Sequence, residues 1–485
     1  MNKLSKSSFL LGLKCKKALY LKNHHNHLST PISQHQKNIF NSGNKIGLLA
    51  QKLFKNGHSS VNNDDPIAFT QQLINQGVEV IYEAAFCFNQ LVCYVDILVK
   101  KEDKWHIYEV KSATKISKSN ISDLAFQYYV LTKCGLTIDD ASIINIDNSY
   151  VRKEKLFLEK MFKITSLHES IILMQKQIDK TISELLLLEE QKSIPSEDIG
   201  PKCSSPHDCI FKSHCWKNIP EYSIFDISRL PPEIKWEMYG NYIVELEDVP
   251  ISSTLNEKQK MEIDAYVNDK SFVDVESLKK FLSSISSKVY FLDFETYQSA
   301  IPDFYGTKPY QQIPFQYSAH YLDENKELQH FDFLADTSGD NREQFIRSLI
   351  KDLSFQGDIL VYNISFERGR LVELSKAFPQ YKDELDKIIN RMIDLIIPFK
   401  ERWFYNSKMK GKNSIKNVLP ALVPGFSYDS LKINNGILAS QSFYDLSNVK
   451  DKNEVLEIRK NLLEYCKLDT LAMVKIFEVL KNAVS

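Results

Sequence analysis

The stretch YEAAFCFNQLVCYVDILVKKEDKWHIYEVKSA, residues 82–113, decides how the N-terminal half is read. Val95 to Val99 is an apolar, β-branched run broken by Asp96. Lys100 to Lys104 is a charged turn. Trp105 to Lys111 is a second apolar strand that ends on charge. Residues two apart on a strand share a face, so Glu109 and Lys111 point the same way. A hairpin brings Asp96 of the preceding strand beside them. Two carboxylates and an ammonium at one sheet end suit metal-assisted phosphodiester hydrolysis. Asp96 and Glu109 would hold Mg2+ or Mn2+ through oxygen, and Lys111 would orient the attacking water. The bland alternative is a surface hairpin with alternating charge.

Working outward, DLAFQYYVL (residues 123–131) follows as a helix carrying Gln127 and Tyr128. This order of strand, E-x-K strand and glutamine-bearing helix resembles the PD-(D/E)XK nuclease superfamily, and the resemblance makes Gln127 a fourth site residue. The match is loose at the helix, where Gln127 and Tyr128 are adjacent. In related nucleases an upstream helix offers a histidine to the metal. Here Ser42 to Phe54 has helical spacing, and the comparable position holds Gln51, a weaker ligand.

Residues 1–63 contain no acidic residue and many lysines, which suits either a phosphate-backbone track or a solvated helix face. Within this segment lies Cys15. Much later comes CSSPHDCIFKSHCW (residues 203–216), with Cys203, Cys209 and Cys215 each separated by five residues. Pro206 and the polar residues argue for a tight loop. Three thiols need a fourth to complete a tetrahedral site, and Cys15 is the candidate. Thiolate-only ligation suits an iron–sulfur cluster or zinc. The loose spacing and the remote fourth cysteine favour [4Fe–4S]. The combination resembles RecB-like nucleases associated with CRISPR systems and the nuclease module of the AddB helicase–nuclease subunit. That resemblance implies a structural [4Fe–4S] cluster on Cys15, Cys203, Cys209 and Cys215. Cys87, Cys93, Cys134 and Cys466 sit in apolar surroundings and read as core thiols. Residues 155–191 show three-four apolar spacing, which predicts one or two long helices in an insert before the cysteine triplet. Residues 221–286 read as a connector.

At Val289 the character changes. VYFLDFETY is a buried strand interrupted by Asp293 and Glu295 on one face. Two buried carboxylates are costly unless cations neutralise them. A strand, DILVYN, then leads into a helix with Glu367 in its first turn. A late helix sets Tyr465 and Asp469 four apart on one face. The order resembles DEDD exonucleases of the RNase H-like fold, in the subclass that uses tyrosine. By that resemblance Asp293, Glu295, Glu367 and Asp469 bind two divalent metals and Tyr465 positions water. Glu367 departs from the usual aspartate, and Asp394 is the possible substitute. Between the motifs, Lys400, Arg402, Lys408, Lys410, Lys412 and Lys416 interleave with Trp403, Phe404 and Tyr405. They suit either base stacking along a single strand or an aromatic-anchored loop.

The phrases DLAFQYYVL, PFQYSAH, KGKNSIKNVLPAL and YCKLDTLAM resemble bacterial proteins containing the domain of unknown function DUF2779. The expected fold is α/β. It comprises a PD-(D/E)XK domain with an iron–sulfur clasp over residues 1–220, a connector over 221–286, and an RNase H-like domain over 287–485. The expected function is a two-site, Mg2+- or Mn2+-dependent nuclease, exonucleolytic, acting on DNA in preference to RNA. Repair, recombination or anti-phage defence are its contexts. The alternative is a nucleic-acid-binding scaffold with one or both sites inactive. Net charge is −1 and cysteines number 8, so neither a globally basic surface nor a secreted disulfide scaffold is expected. No apolar run has the length of a membrane span and no signal peptide is read, so a cytoplasmic location is expected.

Overall fold

The computed structural model describes residues 3–61, 63–252 and 254–485. The chain is mixed α/β, with three sheets and eighteen α-helices among the described residues. It divides into two compact units. The first is Met1–Asn218 with Ser299–Tyr310, and the second is Ile219–Gln298 with Gln311–Ser485.

The first unit is built on seven strands: β1 (Leu4–Ser5), β2 (His58–Ser59), β3 (Val80–Phe88), β4 (Leu91–Lys101), β5 (Lys104–Lys111), β6 (Ile138–Ile146) and β7 (Phe162–Ser166). Their order is β2-β3-β4-β5-β6-β7, with β1 added in parallel to the start of β4. Strands β3 to β5 form an antiparallel meander. Strand β6 returns parallel to β5 after the Lys118–Lys133 helix. Side chains alternate across the sheet, so each face has its own core. Leu98 and Ile107 pack with Phe9, Phe126 and Leu185 of the helices Lys6–Lys14, Lys118–Lys133 and His168–Leu187. Ile97, Val99 and Tyr108 face Ile46 and Ala50 of the Gln34–Gln51 helix.

One expectation fails here. Phe157 to Leu167 is not part of a long helix. A four-residue turn, Leu158–Met161, leads into β7, and the long helix begins only at His168. Three-four spacing fitted Phe157, Met161 and Ile164. Phe162 to Ser166 nevertheless has a ladder partner in β6, and tertiary pairing overrides a short helical pattern.

The second unit holds β8 (Ser271–Val273), β9 (Val289–Tyr297), β10 (Ile313–Leu322), β11 (Leu328–Leu334), β12 (Asp358–Val361), β13 (Met392–Asp394) and β14 (Phe404–Asn406). Five of them form a sheet in the order β11-β10-β9-β12-β13. The pairs β11/β10 and β10/β9 are antiparallel, and β9/β12 and β12/β13 are parallel. On one face Tyr290, Leu292 and Phe294 pack against Phe345, Leu371 and Leu385. On the other, Phe291 meets Phe477 of the Lys452–Asn482 helix, ring centroids 5.6 Å apart. Asp293 and Glu295 share the parity of Phe291, so they lie beneath that helix.

Residues 221–286, read as a connector, belong to the second unit. They bury a small core of Tyr222, Ile224, Ile227, Met238, Leu246 and Ile263. Strand β8 pairs with β14, and Phe404 and Tyr405 are buried. These two rings are therefore committed to packing and are not free to stack bases. No helix among the described residues is long and apolar enough to cross a membrane.

Candidate functional site

In the first unit, strands β4 and β5 part beyond the Ile97–Tyr108 pair. There Asp96 substitutes for the ladder: its Oδ2 accepts the Val110 N–H at 2.6 Å. Glu109 and Lys111 project together, with Lys111 Nζ 2.6 Å from Glu109 Oε1. Gln127 donates to Glu109 Oε2 at 2.7 Å. Asp96, Glu109, Lys111 and Gln127 are thus gathered at one sheet end. Two further groups join them. Asp123, one turn before Gln127, accepts from Lys111 at 2.6 Å and from Gln127 at 3.1 Å. Lys6 donates to Glu109 Oε1 at 2.8 Å and lies 3.7 Å from Asp123. Gln51 ends its helix, and its carbonyl accepts the Tyr82 hydroxyl at 3.1 Å.

The electrostatics of this cluster are uneven. Burial alone would raise Glu109, but Lys6 and Lys111 outweigh it and hold its carboxyl well below the usual range. Glu109 is therefore the settled anion. Asp96 is pushed well up, by burial and then by the charge of Glu109, and Asp123 is raised for the same two reasons. Glu83 on β3 is raised too, by burial and then Glu109. Four acids share two ammonium groups, so added positive charge would be welcome there.

In the second unit, Asp293 and Glu295 on β9 meet Asp469 of the Lys452–Asn482 helix. One carboxylate oxygen from each lies within 4.8 Å of the others. Among the described residues no other group of three acids, cysteines or histidines closes to that distance. Asp293 is pushed well up by burial and then by Asp469, Glu295 and Glu367. Glu295 is pushed up to about 8 by burial and then Asp469. Asp469 is raised to about 6 by burial, against the pull of the Tyr428 hydroxyl, Lys416 and the Tyr465 hydroxyl. Two buried acids and a half-buried one that resist ionisation are short of a counterion, which is the condition that a divalent cation relieves.

Glu367 is buried in the first turn of the Ser365–Ala377 helix, outside the close trio, and its Oε2 has no hydrogen-bond partner. Burial, with Asp394 beside it, pushes it up to about 8. Asp394 itself accepts the N–H groups of Asn363 at 2.9 Å and Ile396 at 3.2 Å. Tyr465 is buried, and burial followed by the nearby acids raises its pKa, so its hydroxyl stays protonated. Lys416 Nζ donates to the Asn434 carbonyl at 2.7 Å and lies 5.1 Å and 5.0 Å from the ring centres of Tyr428 and Tyr465. A Cβ on Gly436, the first residue of the Gly436–Leu446 helix, would stand 3.5 Å from Glu295 Oε2. That helix start therefore turns its positive end toward an acid of the trio.

Cys15, Cys203, Cys209 and Cys215 line one cavity of the first unit. None is in a disulfide. Cys15 caps the Lys16–His24 helix, its sulfur accepting from the Ala18 N–H at 3.4 Å. Burial pushes its thiol up to about 11. Lys17, Lys202 and Lys212 also line the cavity. Glu197 and Asp198 line it as well, and no three of the four sulfurs close to within 4.8 Å, so the four cysteines share a cavity without forming a compact ligand set.

Sequence reading missed Lys6, Asp123 and Tyr428 as site residues, and placed Lys416 only in a basic stretch with no link to the acids. Asp123 alone had a local signal, since it sits one helical turn from Gln127. The others arrive from distant chain segments.

Residues 290–414 match the family described as Domain of unknown function (DUF2779). The match includes Asp293, Glu295 and Glu367 and stops before Tyr465 and Asp469. The chain is 25% identical over 241 residues to Uncharacterized protein MG366 of Mycoplasma genitalium, covering 46% of this chain and 36% of that protein. It is 28% identical over 239 residues to the MG366 homolog of Mycoplasma pneumoniae, covering 45% and 36%. To Uncharacterized protein UU173 of Ureaplasma parvum it is 31% identical over 173 residues, covering 33% and 25%. The chain therefore spans 36% or less of the length of these curated relatives. A DUF2779 match over residues 290–414, inside a chain similar to uncharacterized mycoplasma and ureaplasma proteins, is what these likenesses establish.

Proposed function

We propose that this chain is a metal-dependent nuclease with two separate phosphodiesterase sites, acting on DNA. The observation that carries the reading is the Asp293–Glu295–Asp469 trio, with Asp293 half-buried and the other two buried, on a central strand and its covering helix. The mixed five-stranded sheet beneath it supports an RNase H-like unit, with Asp293, Glu295 and Asp469 as ligands and Glu367 alongside. The Asp96–Glu109–Lys111–Gln127 cluster at the β4–β5 end supports a PD-(D/E)XK unit. Bound Mg2+ or Mn2+ would supply an activated water and neutralise phosphoryl charge.

The residues divide that work. Tyr465, kept protonated, orients the water of the second site. Lys416 faces the phosphate as charge builds. In the first site Lys111, held between Glu109 and Asp123, keeps its ammonium aimed by two carboxylates. Gln127 fixes the rotamer of Glu109. Cys15, Cys203, Cys209 and Cys215 would hold a [4Fe–4S] cluster, whose contribution is to tie the N-terminal helices to the segment after residue 200.

Incubating 5′- and 3′-labelled single- and double-stranded DNA, and the matching RNA, with Mg2+ or Mn2+ tests the reading. The parent protein should cleave DNA, and chelator should stop it. The position of Glu367 outside the close trio favours a second reading, a nucleic-acid-binding scaffold with a silent second site. Tight binding without cleavage would select it.

A further inference from the structure

Lys6 opens the Lys6–Lys14 helix, where a cation meets the positive end of the helix dipole. That position is locally unfavourable, and the first turn holds no acidic residue to offset it. The helix is nevertheless fixed on both sides. Leu4 pairs with Leu91 at the start of β4, and its N–H donates to the Gln90 carbonyl at 2.7 Å. Phe9 is fully buried and stacks on Phe126 at 4.7 Å, on the helix that carries Asp123 and Gln127. The fold thus delivers the Lys6 ammonium into the first site, 2.8 Å from Glu109 and 3.7 Å from Asp123. A residue that breaks a local rule and is repaid only by site acids is a functional candidate.

Glu109 is fully engaged as a result. Its Oε1 takes both Lys6 and Lys111, and its Oε2 takes Gln127. Lys111 has a second carboxylate partner at 2.6 Å, Asp123, and Gln127 is wholly buried. Lys6 has the weaker second contact and keeps about a quarter of its side chain in solvent, at 27% exposure. Lys111 is nearly as exposed, at 22%, so it is the longer second contact, 3.7 Å against 2.6 Å, that marks Lys6 as the donor held less firmly.

We infer that Lys6 is a built-in counter-cation of the first site, which occupies Glu109 until a divalent ion displaces it. The inference rests on the nuclease reading of that site and adds its regulation. Loading of the first site is then an exchange. The ammonium of Lys6 leaves Glu109 Oε1 for solvent as the metal enters, and the site stays shut at low metal concentration without losing its fold.

The test uses the full chain with Asp293→Ala, so that the second site does not contribute. Mn2+ binding is followed by the loss of the free-ion paramagnetic signal. Lys6→Met keeps the aliphatic stem and removes the charge. It should tighten Mn2+ binding at the first site roughly tenfold, the loss of one charge-assisted hydrogen bond from the competing state. Lys6→Arg should bind Mn2+ as the parent does. In the parent, Mn2+ should raise the acetylation of Lys6 measured by mass spectrometry, and in Asp96→Asn it should not. If Asp96-dependent Mn2+ binding is present but Lys6→Met leaves it unchanged or weaker, the exchange is wrong and the nuclease reading stands. If no Mn2+ binding depends on Asp96, the exchange and the nuclease reading of the first site fall together, and the second site is untouched. Melting curves of each variant confirm that a folded chain is being compared.

Discussion

The Tyr428 hydroxyl donates a 2.6 Å hydrogen bond to Oδ1 of Asp469, and both side chains are buried. The two residues are 41 positions apart. Tyr428 holds one oxygen of an acid that would ligate metal.

Tyr428→Phe removes that donor and little else. Groups that orient a metal ligand typically matter by about 10- to 100-fold in metal affinity or activity. We expect a loss in this range in Mn2+ affinity and in cleavage at the second site, with cleavage at the first unchanged. Equal kinetics for variant and parent would remove Tyr428 from the site.

The acids of the second unit predict an unusual pH dependence. Glu295 and Glu367 are pushed up to about 8 and Asp469 to about 6, in each case by burial first. In the unfolded chain such groups titrate near about 4. A folded-state pKa above the unfolded one adds stability that is complete below about pH 4 and lost as pH rises through about 6 to 8. In chelator the second unit should therefore melt several degrees lower at pH 8 than at pH 5. Mg2+ or Mn2+ at pH 8 should restore it. Glu295→Gln should flatten the profile, and calorimetry of parent and variant with and without chelator reads both effects.

The two sites should be separable by single substitutions. Lys111→Ala should abolish one labelled-end activity and Asp293→Ala the other, with circular dichroism unchanged. One substitution that silenced both ends would require a single shared centre instead of two.

Cys209→Ser removes one of four thiols around a single cavity. It should abolish the visible absorbance of an iron–sulfur centre and make the first unit more protease-sensitive than the second. Cys93, buried in the sheet core, is the control: Cys93→Ala should keep the colour. Zinc in place of iron and sulfide, found by elemental analysis of the parent, would overturn the [4Fe–4S] assignment.

Much of the frame was legible from local pattern. The β3 to β5 meander follows from β-branched runs and a charged turn, and Asp96, Glu109 and Lys111 stand out in it as charges among apolar neighbours. The β9 motif was readable for a related reason: a carboxylate in an apolar strand has few structural explanations. Tyr465 and Asp469 share a helix face because of their spacing alone. The stretch from Phe157 to Leu167 was misread because a short run of three-four spacing does not reveal a neighbouring strand edge. Phe404 and Tyr405 looked like a stacking platform because their sequence neighbours are basic, and burial is not a property of neighbours in sequence.

The chain's own order of residues was enough to mark which acids and thiols are out of place in their local surroundings, because that mismatch is judged over a few residues. Only the folded form decided which of them meet, and with what partners. Lys6 reaches Glu109 across 103 positions, and Tyr428 reaches Asp469 across 41. Such pairs depend on how strands and helices pack. The energy that brings them together comes from buried apolar surface elsewhere in each unit, so no signal of the meeting is written beside either residue.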